Sequence, residues 1–292
     1  MSTQGVLKGT GREPEGAQRV SLHCMLRVKF IQTKVVRDHG PPRRVTAKRD
    51  DVVLGAVVTR TIRGSLRALG YDIVRYYEPT SYFDQRRDLV RTVDVVLDVG
   101  ANIGQYALEV RLAGFQGRII SFEPLAAPFA ELCRRARHDD RWVCRRVALG
   151  DADGNQRMHV ARNTWSSSLL DIEVRAVAAV PDSAYVRTED VQTSKLDSLQ
   201  EELLGDTDRV FLKLDVQGLE LKVLRGAQRF LRQVHAIESE LSVASLYRGQ
   251  PLITDMLQEL RHCGFELIAM NPTFFDPANG ELLQLDALFR RK

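Results

Sequence analysis

The 292-residue sequence predicts an α/β fold: a mostly parallel seven-stranded sheet with one antiparallel strand, helices on both faces, and an N-terminal helical extension. Three observations carry that prediction. Apolar runs alternate with helical stretches between residues 94 and 148 and again from 209 onward, the pattern of a parallel sheet built through crossover helices. The run Val95-Val96-Leu97-Asp98-Val99 closes on an acid and opens into Gly100-Ala101-Asn102-Ile103-Gly104, a buried strand followed by a tight loop and a helix start near Gln105. The chain ends on two apolar runs, Phe265 to Met270 and Leu282 to Phe289, which flank Asn271-Pro272 and Asn279-Gly280 and read as a strand pair joined by a loop.

Taken in order, residues 1–16, with Gly5, Gly9, Gly11, Pro14 and Gly16, read as a flexible tail. Residues 17–91 form the extension. The patch Val20 to Ile31 is broken by His23, Arg27 and Lys29, so it makes no secretory signal. Leu54, Val58, Ile62, Leu66 and Leu69 make an apolar stripe on a helix over 51–70, with Arg60, Arg63 and Arg67 on a solvated face. The aromatic segment Tyr71 to Tyr82 is an irregular lead-in. The main domain, 92–292, then predicts strand 94–98, helix 104–113, strand 118–122, helix 127–137 and strand 142–148. A polar excursion from Asp151 to Lys195 exceeds an ordinary connection and is expected to carry short elements or a lid. Strand 209–215, a helix carrying Leu219, Val223, Leu224, Ala227 and Leu231, strand 234–240 and helix 251–263 complete the set.

Composition bounds the partners. The chain is 44% hydrophobic and 27% charged, with a net charge of +4, which suits a globular domain and falls short of a nucleic-acid signature. No stretch reaches the roughly 18–20 apolar residues of a membrane span. The four cysteines, Cys24, Cys133, Cys144 and Cys263, show no C-x-x-C spacing, so no disulfide framework or zinc site is suggested and a cytoplasmic protein is expected. A homo-oligomer is left open.

The glycine loop belongs to a Rossmann-like nucleoside-binding half, but its spacing is G-x-N-x-G, with Asn102 where the dinucleotide fingerprint G-x-G-x-x-G needs glycine. Asp98 at the strand end repels a phosphate and suits a cationic ligand. S-adenosylmethionine is cationic and has no phosphate. Glu123, ending the run Arg118 to Phe122, is placed to accept hydrogen bonds from both ribose hydroxyls.

Three segments carry a family resemblance: Leu97 to Gly104; Phe211-Leu212-Lys213-Leu214-Asp215-Val216-Gln217-Gly218-Leu219-Glu220 with Val223-Leu224-Arg225-Gly226-Ala227; and Glu238-Ser239-Glu240-Leu241. Over residues 92–270 the chain resembles the FkbM family of class I S-adenosylmethionine-dependent methyltransferases. Residues 1–50 match no family pattern. The resemblance implies O-methylation of a sugar, glycolipid or polyketide-type natural product. It assigns Asp98, Gly100, Asn102 and Gly104 to the cofactor loop, Glu123 to the ribose and Asp151 to the adenine amino group, where a plain turn aspartate is an equal reading.

Methyl transfer needs an aligned acceptor and a proton acceptor. Lys213 and Asp215, two apart on one strand, share a face, with Lys213 better suited as an orienting cation and Asp215 as base, methionine orienter or ligand. Glu238 is a second base candidate, and Asp215, Glu238 and Glu240 are candidates for an oxygen-rich Mg²⁺ site. His235 reads as a core or edge histidine, Glu220 as a helix-start cap, and Trp165 with Ser166, Ser167 and Ser168 as a wall for a polyhydroxyl acceptor or a packed loop tip. Asn271-Pro272-Thr273-Phe274 looks like the N-P-P-[FY] motif of amine methyltransferases but lies after the wrong strand. Rival readings are an RNA methyltransferase, a non-catalytic cofactor-binding interaction module, and a dehydrogenase weakened by the missing glycine pattern.

Overall fold

A computed structural model describes residues 81–292. The expected tail, the helix over 51–70 and nearly all of the aromatic lead-in lie outside the described residues. In chain order the described elements are α1 (Tyr82–Val90), β1 (Val95–Val99), α2 (Gln105–Leu112), β2 (Arg118–Phe122), α3 (Ala126–Ala136), β3 (Trp142–Arg145), β4 (Ala148–Leu149) and β5 (Gly154–Ala161). There follow α4 (Val174–Ala179), β6 (Tyr185–Ser194), α5 (Leu196–Leu203), β7 (Val210–Leu214), α6 (Glu220–Arg225), β8 (Val234–Ser242), α7 (Ile253–His262), β9 (Phe265–Phe275) and β10 (Leu282–Arg291).

Seven strands form one sheet in the order β3-β2-β1-β7-β8-β10-β9. All pairs are parallel except those of β10, which runs antiparallel to both β8 and β9. Parallel strands must be covered on both faces, and the five residues of β1 and of β7 are all buried. Val95, Leu97 and Val99 pack with Leu212, Leu224, Phe230 and Met256 on one face, while Val96 joins Tyr82, Ala107, Phe211 and Trp142 on the other. The crossovers therefore bring the β1–α2 and β7–α6 loops side by side at the carboxyl ends of adjacent central strands.

Three expectations are corrected, and that of elements within the polar excursion is filled in. The strand expected over 142–148 divides: 142–145 stays in the large sheet, and Ala148–Leu149 pairs with Thr193 and Ser194 in a second sheet of order β4-β6-β5. The polar excursion is mostly that sheet, its hairpin-like pair β5 and β6 registered from Gly154↔Thr193 to Ala161↔Tyr185. The helix expected through Leu231 stops at Arg225, because Asp197 accepts hydrogen bonds from the Arg229 and Phe230 amides at 2.9 and 2.8 Å and starts a separate 3-10 turn there. Finally, β9 continues past Met270 through Asn271-Pro272 to Phe275; it is the sheet edge, where a proline lacking its N–H is tolerated.

Candidate functional site

The two glycines of the first loop are dictated by packing. At Gly100 (φ +78°) a Cβ would stand 1.8 Å from the Asp215 carbonyl oxygen, so only glycine lets the β1 and β7 loops touch. Gly104 (φ +86°) begins α2, and a Cβ there would meet Leu132 and the Trp142 ring at 2.8 Å.

Between these loops runs a buried chain of charges. Lys213 Nζ lies 3.4 Å from Asp98 Oδ1 and 3.3 Å from Asp215 Oδ2, and donates to the Gly100 carbonyl at 3.2 Å. Burial alone would lower the Lys213 ammonium, but Asp215 and Asp98 outweigh it and hold the proton well above the ordinary lysine value. Lys213 is therefore a fixed cation and not a base. Asp98, expected to face a cationic ligand at a strand tip, is fully buried before the tip. Its cation is Lys213, and its Oδ2 accepts from Ser121 at 3.1 Å. Burial still pushes its carboxyl up, with Lys213 and Ser121 opposing.

Glu123 is also buried. Its two oxygens accept from the Asn102 and Leu125 amides, each at 2.9 Å, and burial pushes its carboxyl up to about 7 against those bonds. Each oxygen keeps a second lone pair. Asp215, by contrast, is 38% exposed at the tip of β7. Gln217 clamps it: the Gln217 amide nitrogen donates to Asp215 Oδ1 at 2.8 Å and to Glu240 Oε2 at 3.1 Å, while its oxygen accepts from the Tyr247 hydroxyl at 2.7 Å. Burial and the neighbouring Asp215, Glu220 and Asp286 raise the Glu240 carboxyl well above the usual range. Glu220 accepts from the Val216 and Gly218 amides at 3.0 and 3.3 Å, pinning the same loop, and burial pushes it up to about 7. It pins the loop before α6 rather than capping the helix, which has no side-chain cap.

Glu238 is committed elsewhere. Its oxygens accept from the Tyr82 hydroxyl at 2.7 Å and the Tyr106 hydroxyl at 2.5 Å, with Arg86 Nη1 at 3.5 Å. It ties α1 and α2 to β8, which leaves it unsuited to take an acceptor proton. The proposed Mg²⁺ site does not form either: Glu238 is occupied by those tyrosines, Glu240 by Gln217 and Gln284, and among the described residues no three His, Cys, Asp or Glu side chains gather to hold a metal. Asp151 is not brought to the site; it is exposed, its backbone lying against Gly226 at the far end of α6. His235 opens β8 beside Arg209 at 3.0 Å, away from the strand tips.

Sequence reasoning missed that the 163–168 loop is bonded to both the β1–α2 and the β7–α6 loops. Among the described residues only Asn102, Thr164 and Gln217 are non-glycine residues with φ in the left-handed region, at 49°, 58° and 54°. All belong to one hydrogen-bonded cluster. Asn102 Nδ2 donates to Thr164 Oγ1 at 3.3 Å, Ser168 Oγ donates to the Gln217 carbonyl at 2.8 Å, and the Tyr247 hydroxyl reaches both Gln217 and the Ser166 carbonyl. Each such conformation costs about 1–3 kcal/mol and collects where function demands it. Asn102 and Gln217 stand in quoted motifs, but nothing marks Thr164, a β-branched residue that disfavours this backbone.

The family model described as the FkbM methyltransferase domain matches residues 98–267, more than half of the chain. No curated protein matches the sequence. Among solved structures, the 1,6-didemethyltoxoflavin-N1-methyltransferase of Burkholderia thailandensis, with S-adenosylhomocysteine bound, is 12% identical over 86% of this chain and 94% of its own, TM-score 0.39. Magnesium protoporphyrin IX methyltransferase of Synechocystis PCC 6803, with S-adenosylmethionine bound, is 11% identical over 85% and 100%, TM-score 0.39. An rRNA methylase of Streptococcus thermophilus is 7% identical over 74% and 99%, TM-score 0.40. Such distant likenesses carry no argument about the acceptor. On the family match, joined to the seven-stranded sheet with its single antiparallel strand, the chain belongs to the FkbM family of S-adenosylmethionine-dependent methyltransferases.

Proposed function

We propose that this methyltransferase acts on a hydroxyl oxygen of a sugar, glycolipid or polyketide-type natural product. The observation that carries the proposal is the half-exposed Asp215 carboxylate, fixed by Lys213 and Gln217 at the tip of β7 beside the β1–α2 loop. An alcohol is a weak acid, so its methylation gains from a carboxylate already oriented by a buried cation.

The residues fit the cofactor. Glu123, with lone pairs free after its two backbone bonds, takes the ribose hydroxyls; Gly100, Asn102 and Gly104 shape the loop beneath the nucleoside; Asp98 acts indirectly, by holding Lys213. S-adenosylmethionine supplies a methyl group already activated by its sulfonium. The chain's task is then alignment, worth roughly 7–11 kcal/mol where it is complete, and removal of the hydroxyl proton to Asp215.

Calorimetry with S-adenosylmethionine and S-adenosylhomocysteine tests the cofactor, and transfer of labelled methyl across a panel of glycosides and polyketide alcohols tests the acceptor. Asp215→Asn should lower kcat about 10²–10⁴-fold while changing cofactor affinity little. A variant with unchanged kcat removes Asp215 from the chemistry.

A further inference from the structure

A crevice of about 420 Å³ lies between α6 and α7 and is lined also by Leu170 and the segment Gly249-Gln250-Pro251. We propose that it is a second ligand site, separate from the Asp215 cluster, and that its ligand is a zwitterion: an apolar body with one anionic and one cationic group. None of Asp98, Glu123 and Asp215 lines it.

The observation that points to a ligand is Gln250. Its side chain is buried at 8% exposure, and its oxygen accepts from the Leu246 and Tyr247 amides at 3.1 and 2.6 Å. Two amide donors on that oxygen settle which end of the carboxamide is which, so the other end is the NH₂ group. That Nε2 is buried with no hydrogen-bond partner. Gly218 lets it stand there, since a Cβ on Gly218 would come within 3.0 Å of Gln250 Cβ and 3.1 Å of Leu170 Cδ1. An unpaired buried donor is costly, and in the wall of a crevice it is explained by a ligand oxygen that reaches it.

The charges select the class. Lys222 and Arg225 come from α6, Asp255 and Glu259 from α7, and among the described residues none of the four is in an ion pair. Opposite charges that share one crevice without closing on each other leave both signs to a ligand. Asp255 spends one oxygen on the Leu252 amide at 2.9 Å and keeps the other. A ligand carboxylate is then met by Gln250 and the α6 cations, its ammonium by the α7 carboxylates, and its apolar body by Leu219 and Pro251. A ligand of one sign only would leave half of these groups repelling it or unused. The volume is that of a small-molecule site.

The test is calorimetry on the full chain with 6-aminohexanoate and leucyl-leucine, using hexanoate and hexylamine as singly charged controls. Each titration is run with and without saturating S-adenosylhomocysteine, which itself carries an amino-acid end. Expected is saturable binding of at least one zwitterion, about tenfold or more tighter than either control and unaffected by S-adenosylhomocysteine. The exposed-residue variants Lys222→Gln, Arg225→Gln and Glu259→Gln should each weaken it about tenfold at unchanged Tm. Gln250→Glu, which keeps an oxygen for the two amides and replaces the donor, should weaken it as well. Failure of both zwitterions to bind overturns the site. Hexanoate or hexylamine binding as tightly as 6-aminohexanoate overturns the zwitterion. Displacement by S-adenosylhomocysteine, or binding indifferent to all four substitutions, places the ligand elsewhere and overturns the assignment. Failure of S-adenosylhomocysteine itself to bind counts against the methyltransferase reading alone, because this crevice is read from other residues.

Discussion

Lys213 keeps its proton inside the protein because two carboxylates outweigh the cost of burial. Lys213→Met should strand the buried Asp98 and destabilise the fold by about 3–5 kcal/mol, read as a lower urea midpoint at unchanged slope. A loss below about 1 kcal/mol would show that Asp98 carries no charge in the folded protein. Glu123 and Glu220 titrate in the opposite sense to a salt-bridged acid. Burial raises both to about 7 from an ordinary value of 4.5, so the folded state holds more protons than the unfolded state between those values. Their contribution to stability is complete below about pH 4.5 and is lost as pH rises through about 7. Glu220→Gln, neutral at every pH, should flatten part of that slope in unfolding measured on either side of the window. If Glu123 receives the ribose, affinity for S-adenosylhomocysteine should rise as pH passes upward through about 7 and become flat in Glu123→Gln. Residue identities such as Asp98, Lys213 and Asp215 were readable as chemically important. Their partners were not, because Lys213 meets Asp98 only after β1 and β7, more than a hundred residues apart in sequence, become neighbours.

At the scale of elements, helix α1 is the piece the sequence leaves as part of an undifferentiated extension. Tyr82 and Arg86 bring it onto Glu238 of β8, and Leu89, Val90 and Tyr82 join the core formed by Val96 and Phe211. Glu238→Ala should therefore cost about 3 kcal/mol or more by leaving Arg86 and two buried hydroxyls short of an acceptor, while Glu238→Gln retains an acceptor and costs less. Equal stability of the two variants would remove Glu238 from its anchoring role. The glycine loop was legible from its spacing, yet the cause of that spacing is tertiary: Gly100→Ala would drive a Cβ into the Asp215 carbonyl and should displace both loops at once. Helix ends and strand ends were the least legible. Arg225 ends α6 because Asp197, on a different helix, captures the next amides, and β3 stops at Arg145 because Ala148 and Leu149 have partners in another sheet.

Over the whole molecule the sheet order sets a gradient of protection. β7 lies at the centre of the seven strands with β1 and β8 beside it, and β9 is an outer edge with Leu267, Met270 and Phe275 exposed. Amide exchange should be slowest in β1, β7 and β8 and fastest in β9 and the β5–β6 pair. Rapid exchange in β7 would contradict the sheet order itself. Among the described residues no helix is long and apolar enough to cross a membrane.

By itself the sequence determined the fold class, the seven strands of the large sheet, the antiparallel final pair and the family, because these depend on local hydrophobic period, glycine spacing and contiguous motifs that a single chain displays openly. Only the tertiary structure decided that Asp98 is an internal counter-ion, that Glu238 and Glu240 are already bonded and, among the described residues, gather no metal site, that Asp151 stands apart, and that Thr164 and Gln217 tie neighbouring loops together. The reason is physical: a carboxylate's role follows from its solvent exposure and from the donors that reach it, and both are set by which distant segments the sheet brings into contact.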